Sequence, residues 1–153
     1  MAESAHVLVV EARFYDDIAD ELARGAEQAL MHASASYERV AVPGAFELPG
    51  AIALALRAEE DDPARRRFDG YVALGCVIRG ETTHYEHVCQ ESARGLQDLV
   101  LRHRIALGFG VLTVENRGQA LARASVTGRN KGGEAARACL GMIALRRRLG
   151  ARA

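Results

Sequence analysis

The chain predicts a single α/β domain, a doubly wound four-stranded parallel sheet flanked by helices on both faces. Three observations carry that expectation. The apolar period switches repeatedly between strand-like runs and helical spacing. The segments alternate strand, helix, strand, helix, which calls for crossover connections and parallel strands. The third strand run, Tyr71 to Ile78, is almost wholly apolar, as a strand covered on both faces must be.

Taken in order, His6 to Val10 is a short β-branched run, and Glu11 to Tyr15 reads as the loop that follows it. From Asp16, expected as an N-cap, Ile18, Leu22, Ala26 and Ala29 fall at helical spacing. Tyr37 to Val42 is the second strand, closed by Pro43-Gly44. A helix begins near Glu47, marked by Leu48, Ile52, Ala55 and Leu56, with Pro49 tolerated in its first turn. Glu59 to Asp69 is charged, contains Pro63 and reads as an exposed loop. After the third strand, Val88, Ser92, Leu96 and Leu99 lie on one side of a helix, and Ile105 to Thr113 is the fourth strand. Helical segments follow at Gln119 to Ala124 and Gly132 to Leu149, the latter with Ala135, Cys139, Met142, Leu145 and Leu149 on its apolar face.

At 153 residues there is room for one domain with a proper core, 1–153. Hydrophobic residues at 49% and charged residues at 26% argue against disorder. Twenty basic and twenty acidic residues cancel, so no electrostatic case exists for a nucleic-acid partner. Arg65-Arg66-Arg67 and Arg146-Arg147-Arg148 read as solvated loop or helix ends. The three cysteines, Cys76, Cys89 and Cys139, show neither CxxC pairing nor zinc spacing and are expected to be buried, inert thiols. Met1-Ala2-Glu3-Ser4 runs straight into a strand without a signal-peptide pattern, and no apolar stretch is long enough for a bilayer. The expectation is a cytoplasmic protein with no membrane partner.

In open parallel sheets, ligands bind beyond the carboxyl ends of the strands. That directs attention to Arg13-Phe14-Tyr15, Pro43 to Glu47, and Arg79 to His84. In the last of these, Gly80 permits a tight turn, and Glu81, Thr82 and Thr83 enter a helix whose free N–H groups suit a phosphate. His84 beside them can move a proton near neutral pH. The bland alternative is a Thr83 N-cap followed by a surface histidine. In the second loop, Phe46 and Glu47 offer an apolar wall and a polyol acceptor, or equally a turn with a helix-start carboxylate. Phe14 could stack on a planar heterocycle or serve as core. Near the C-terminus, Arg123, Arg129 and Lys131 surround glycines and Asn130, either as a phosphate clamp or as a solvated connection.

Taken together, the stretches Arg13-Phe14-Tyr15-Asp16, Val42 to Pro49 (VPGAFELP), Leu74 to Tyr85 (LGCVIRGETTHY), Gly110 to Asn116 (GVLTVEN) and Asn130-Lys131-Gly132 resemble the lumazine synthase family in order and spacing. The resemblance covers essentially the whole chain and implies a flavodoxin-like topology. It implies condensation of 5-amino-6-(D-ribitylamino)uracil with 3,4-dihydroxy-2-butanone 4-phosphate, releasing phosphate and water in the penultimate step of riboflavin biosynthesis. Carried over by position, Phe14 would stack on the pyrimidine, and Ala45, Phe46 and Glu47 would hold the ribityl chain. Cys76, Val77 and Ile78 would offer backbone contacts to the heterocycle. Glu81, Thr82 and Arg123 would meet the phosphate, Lys131 would lie near ring and phosphate, and His84 would transfer protons. The resemblance implies no metal and no redox cofactor.

Phe109 matches a family ligand contact yet falls inside the fourth strand. The family resolves this by building its site between subunits, with Phe109, Arg123 and Lys131 coming from the neighbour. The expectation is a homopentamer, or a shell of twelve pentamers (a 60-mer), and the short Ser125 to Lys131 connection leans toward the shell. Glu134 fills the family's acidic position three residues after the loop lysine. The alternative is a non-catalytic relative that binds a flavin or lumazine or only forms a shell. Retention of Phe14, Glu47, His84, Arg123 and Lys131 together favours the enzyme. A phospho-acceptor receiver domain fails, because Glu11, Asp16 and Asp17 form no Mg²⁺-binding cluster after the first strand.

Overall fold

The computed structural model describes residues 3–151. Met1 and Ala2, half of the stretch considered for a signal peptide, lie outside the described residues, as does the end of the expected domain beyond 151. Four strands, β1 (His6–Ala12), β2 (Ser36–Val42), β3 (Gly70–Ile78) and β4 (Ala106–Val114), form one all-parallel sheet in the order β2-β1-β3-β4. The helices are α1 (Asp16–His32), α2 (Leu48–Asp61), α3 (His84–His103), α4 (Arg117–Ala124) and α5 (Lys131–Leu149), and a 3-10 turn spans Ala45–Glu47. This is the single doubly wound α/β domain that the alternating periods predict. Among the described residues no helix is long and apolar enough to cross a membrane.

The two-residue alternation of each strand divides the core in two. Val7 and Val9 of β1, Val72, Leu74 and Cys76 of β3, and Ala106, Leu112 and Val114 of β4 pack under α1, α4 and α5. Leu8, Val10, Ala12, Tyr71, Ala73, Val77 and Val111 pack under α2 and α3. The close fit of α5 on β4 depends on Gly108, where a Cβ would run into the backbone carbonyl of Ala135. Gly132 plays the same part between α5 and the carbonyl of Leu22 on α1.

Several boundaries depart from expectation for definable reasons. Strand β1 continues past Val10 through Glu11 and Ala12, because the Glu11 carboxylate is neutralised in place by two arginines rather than exposed in a loop. Asp16 is the first helical residue rather than the N-cap, a position held by Tyr15 in extended conformation without a side-chain cap. Helix α2 runs to Asp61, into the segment expected as loop. Glu59 is buried there, accepting from the Phe68 backbone N–H (2.9 Å) and the Tyr71 hydroxyl (3.4 Å). The buried face of α5 is Gly132, Gly133, Ala135, Ala136, Cys139 and Ile143, whereas Met142, Leu145 and Leu149 are exposed. Cys76 and Cys139 are buried and Cys89 half-buried, none of them in a disulfide. The basic run at the end of α5 is not wholly solvated: Arg146 donates to the carbonyls of Asp69 (2.5 Å) and Arg104 (3.3 Å).

Candidate active site

Three of the loops flagged by the sheet rule converge over the carboxyl ends of β1, β2 and β3. They enclose a cleft of about 350 Å³ lined by Phe14, Tyr15, Pro43, Gly44, Ala45, Phe46, Glu47, Cys76, Val77, Ile78, His84 and Val88. Its walls have distinct origins. Phe14 lies just beyond β1, is 71% exposed and is braced edge-on by Tyr15, with ring centroids 4.9 Å apart. Ala45 is buried, and Phe46 beside it is 59% exposed, so the 3-10 turn offers an apolar ring to the cleft while anchoring through its neighbour. Glu47 accepts from the Gly44 backbone N–H at 3.1 Å, which closes the turn and leaves its other carboxylate oxygen available.

The floor is the end of β3. Cys76 and Val77 are buried and Ile78 half-buried, so this segment presents apolar surface and peptide edges rather than reactive side chains. Burial pushes the Cys76 thiol up to about 11, which keeps it protonated and unreactive at neutral pH. The thiol of Cys89, in the second turn of α3, is raised for the same reason.

Beyond Ile78 the chain turns through Gly80 to Thr83 into α3, and His84 is the first helical residue. Thr83 holds the N-cap position without a side-chain bond, while the Thr82 hydroxyl accepts from the His84 N–H at 3.3 Å. The turn therefore uses Thr82, not Thr83, to close itself. Among the described residues no hydrogen bond engages the N–H groups of Glu81, Thr82 or Thr83, so the start of this long helix presents free donors to solvent. Glu81 and Thr82 are exposed and lie outside the lining of this cleft. Arg79 fastens the turn from behind. It pairs with Glu86 of α3, bonds Glu115 at 2.8 Å and lies 4.3 Å over the Tyr85 ring.

The remaining candidates lie elsewhere. Phe109, Arg123, Lys131 and Glu134 line a separate hollow of about 290 Å³ against β4 and α5, and its lining shares no residue with the first cleft. Arg123 donates to the Gln119 carbonyl at 3.1 Å, and Lys131 pairs with Glu134 at 2.9 Å. Asn130 precedes Lys131 in a left-handed conformation that asparagine tolerates, and its side chain caps α5 by accepting from the Gly133 N–H. Glu134 is thus Lys131's partner within the chain and lies apart from His84. Arg129 lines neither cavity. Phe109 is 48% exposed on β4, one of the two edge strands of the sheet.

Tyr15, Pro43, Gly44 and Val88 were missed as lining residues; the first three could have been found from their places in the flagged loops, Val88 only from helical phase. Glu11 reads from the sequence as the start of a loop, whereas it is the penultimate residue of β1. Among the described residues no group of three or more His, Cys, Asp or Glu side chains could hold a metal ion.

Residues 4–147 match the family described as 6,7-dimethyl-8-ribityllumazine synthase. The chain is 57% identical over 146 residues to the 6,7-dimethyl-8-ribityllumazine synthase 1 of Rhizobium meliloti, covering 95% of this chain and 94% of that one. It is 53% identical over 150 residues to a protein of Bartonella tribocorum with the name 6,7-dimethyl-8-ribityllumazine synthase, covering 98% and 95%. A third relative with that name, from Paramagnetospirillum magneticum, is 52% identical over 146 residues, covering 95% and 97%.

Proposed function

We propose, from the premise that the chain belongs to the 6,7-dimethyl-8-ribityllumazine synthase family, that it makes 6,7-dimethyl-8-ribityllumazine. It is a transferase of riboflavin biosynthesis. It condenses 5-amino-6-(D-ribitylamino)uracil with 3,4-dihydroxy-2-butanone 4-phosphate and releases phosphate and water. The observation that carries the reading is the cleft itself. An exposed aromatic, an apolar turn with a free carboxylate oxygen, a strand end and a histidine meet there, and free helix-start donors follow the same strand end.

Each part has a task in that reaction. Phe14 stacks on the pyrimidine. The peptide edges of Cys76, Val77 and Ile78 hold the ring, and Ala45, Phe46 and Glu47 hold the ribityl chain. The N–H groups at Glu81 and Thr82 take the phosphate at the positive end of α3. His84 at the same helix start moves protons as the imine forms and phosphate departs. Alignment of two substrates in one cleft supplies much of the remaining acceleration.

The second hollow gives Arg123 and Lys131 to the same reaction from a neighbouring subunit, with Phe109 closing the cleft over the heterocycle. What supports this is their separation from His84 within one chain and the exposure of an apolar aromatic on an edge strand, a position proteins normally cover. The assembly is a homopentamer, or twelve of them as a shell, working in the cytoplasm. Purified protein mixed with both substrates should show lumazine fluorescence and phosphate release above the spontaneous rate; a rate equal to the spontaneous one removes the enzyme reading in favour of a non-catalytic binder.

A further inference from the structure

Glu11 is one of the few charged side chains in the core, 4% exposed at the end of β1. Its carboxylate takes two hydrogen bonds from Arg39 of β2, at 2.8 and 2.9 Å, and one from Arg13 at 2.9 Å. Arg13 continues to Asp20 of α1, Arg39 to Glu27 of α1, and the Arg13 backbone N–H donates to the Val42 carbonyl at 3.1 Å. Both guanidinium groups are held above arginine's ordinary range, Arg13 chiefly by Asp20 and Arg39 chiefly by Glu11.

The register explains what this network joins. Glu11 pairs with Ala41 and Arg39 with Val9, so both side chains project to the α1 side of the sheet. Ala12 points the other way, toward the cleft side. The residue after Arg13 is Phe14, and the loop after Val42 carries Ala45, Phe46 and Glu47. One buried carboxylate therefore ties together the strand ends that bear opposite walls of the cleft. A strand-to-helix staple alone would need Arg39 and Glu27, but not the third bond, to Arg13.

We infer that Glu11 is a positioning residue for the heterocycle: through Arg13 it fixes the Phe14 loop against the Pro43–Glu47 loop, setting the gap into which the pyrimidine slides. It touches no substrate and acts only through its neighbours. The inference rests on the lumazine-forming reading of the same cleft. Multidentate charge-assisted bonds of this kind add geometric precision as well as energy. Their loss should be felt as looser binding of the ring rather than as a slower chemical step.

The test is Glu11→Gln, which keeps shape and removes charge, with the exposed-end variant Asp20→Asn beside it should the first fail to fold. Glu11→Gln should raise KM for the ribitylaminouracil about fivefold, while kcat and KM for the ketose phosphate stay within about twofold. Affinity for the product lumazine, titrated by its fluorescence, should weaken by the same factor. Asp20→Asn should move the same quantities in the same direction by less. Adding Phe14→Ala to Glu11→Gln should cost nothing beyond Phe14→Ala alone, since both remove one stacking interaction. An unchanged pyrimidine KM in both variants, equal rises in both KM values, or multiplicative effects with Phe14→Ala overturns the inference. A wild-type protein that binds lumazine without catalysis, with binding weakened by Glu11→Gln, defeats the enzyme reading and leaves this one standing; absence of lumazine binding defeats both.

Discussion

If each active site draws its two halves from adjacent subunits, two impaired variants should rescue one another. The variants are His84→Ala, which empties the first cleft of its proton carrier, and Arg123→Ala, which empties the second of its guanidinium. Both side chains make few bonds within the chain, so truncation leaves the fold intact: Arg123 bonds only the Gln119 carbonyl, and the His84 imidazole bonds nothing among the described residues. Alone, His84→Ala should retain about 1–10% of kcat, below the usual general acid–base loss because the condensation proceeds unaided. Arg123→Ala should raise KM for the ketose phosphate about 10–100-fold, the value of a lost charge-assisted bond. In oligomers reassembled from an equal mixture, an interface is intact when the subunit supplying the His84 cleft carries Arg123→Ala and its neighbour carries His84→Ala. Each condition holds half the time, so about one quarter of interfaces should work in a cyclic assembly. The assay is lumazine fluorescence at ketose phosphate below its wild-type KM, after dissociation, mixing and reassembly. Recovery to about a quarter of wild-type activity is expected. Activity no higher than the mean of the two separate variants would refute the interface site, because cavities serving one subunit's own site cannot be repaired by a neighbour.

Phe109→Glu on the edge strand should lower the sedimenting mass and abolish activity while circular dichroism shows the sheet retained; a full-sized, active oligomer would contradict the role given to that strand. Gly108→Ala forces a Cβ into the Ala135 carbonyl and should cost about 1–3 kcal/mol or more in urea unfolding, with activity falling as α5 shifts away from β4. Cys76, held up to about 11 by burial, should react with iodoacetamide far more slowly than a free thiol at pH 8, where it remains protonated. Its alkylation should accelerate only as pH climbs toward that value, and rapid labelling of Cys76 at pH 8, located by mass spectrometry, would contradict the burial.

Much of the fold was legible because burial leaves a periodic trace. Strand β3 is buried along nearly its whole length and reads as an unbroken apolar run, and the helices between strands force the parallel order. The boundaries that went astray share one physical cause, charge or bulk that tertiary contacts override. Glu11 looks like loop because a lone carboxylate belongs in water, and only Arg13 and Arg39, the latter 28 residues away, make it strand. Glu59 looks like loop until the Phe68 N–H and Tyr71 hydroxyl are brought to it. On α5 the apolar stripe has two possible phases beyond Cys139. Bulk favours Met142 and Leu145, but the small residues Gly132, Gly133, Ala135 and Ala136 let the helix approach the sheet on the side that ends at Ile143.

The site divides in the same way. Loops beyond strand ends are predictable from topology, and Phe14, Ala45 to Glu47, Cys76 to Ile78 and His84 come together in one cleft for that reason. Phe109 follows no such rule, since it sits in mid-strand, opposite Ala73, on the α2 and α3 side of the edge strand. Helix α3 covers Ile105 and Val111 on that side but leaves Phe109 open. A large aromatic left half-exposed on an edge strand makes little sense for an isolated chain, which gains nothing by presenting it to water. It makes sense on the proposed interface reading, in which the missing cover is another copy's cleft, whose lining holds Phe14, the Ala45–Glu47 turn and His84 but no lysine or arginine. Arg123 and Lys131 border the same hollow as Phe109, so on that reading the copy that covers the aromatic also receives the two charges its own cleft lacks.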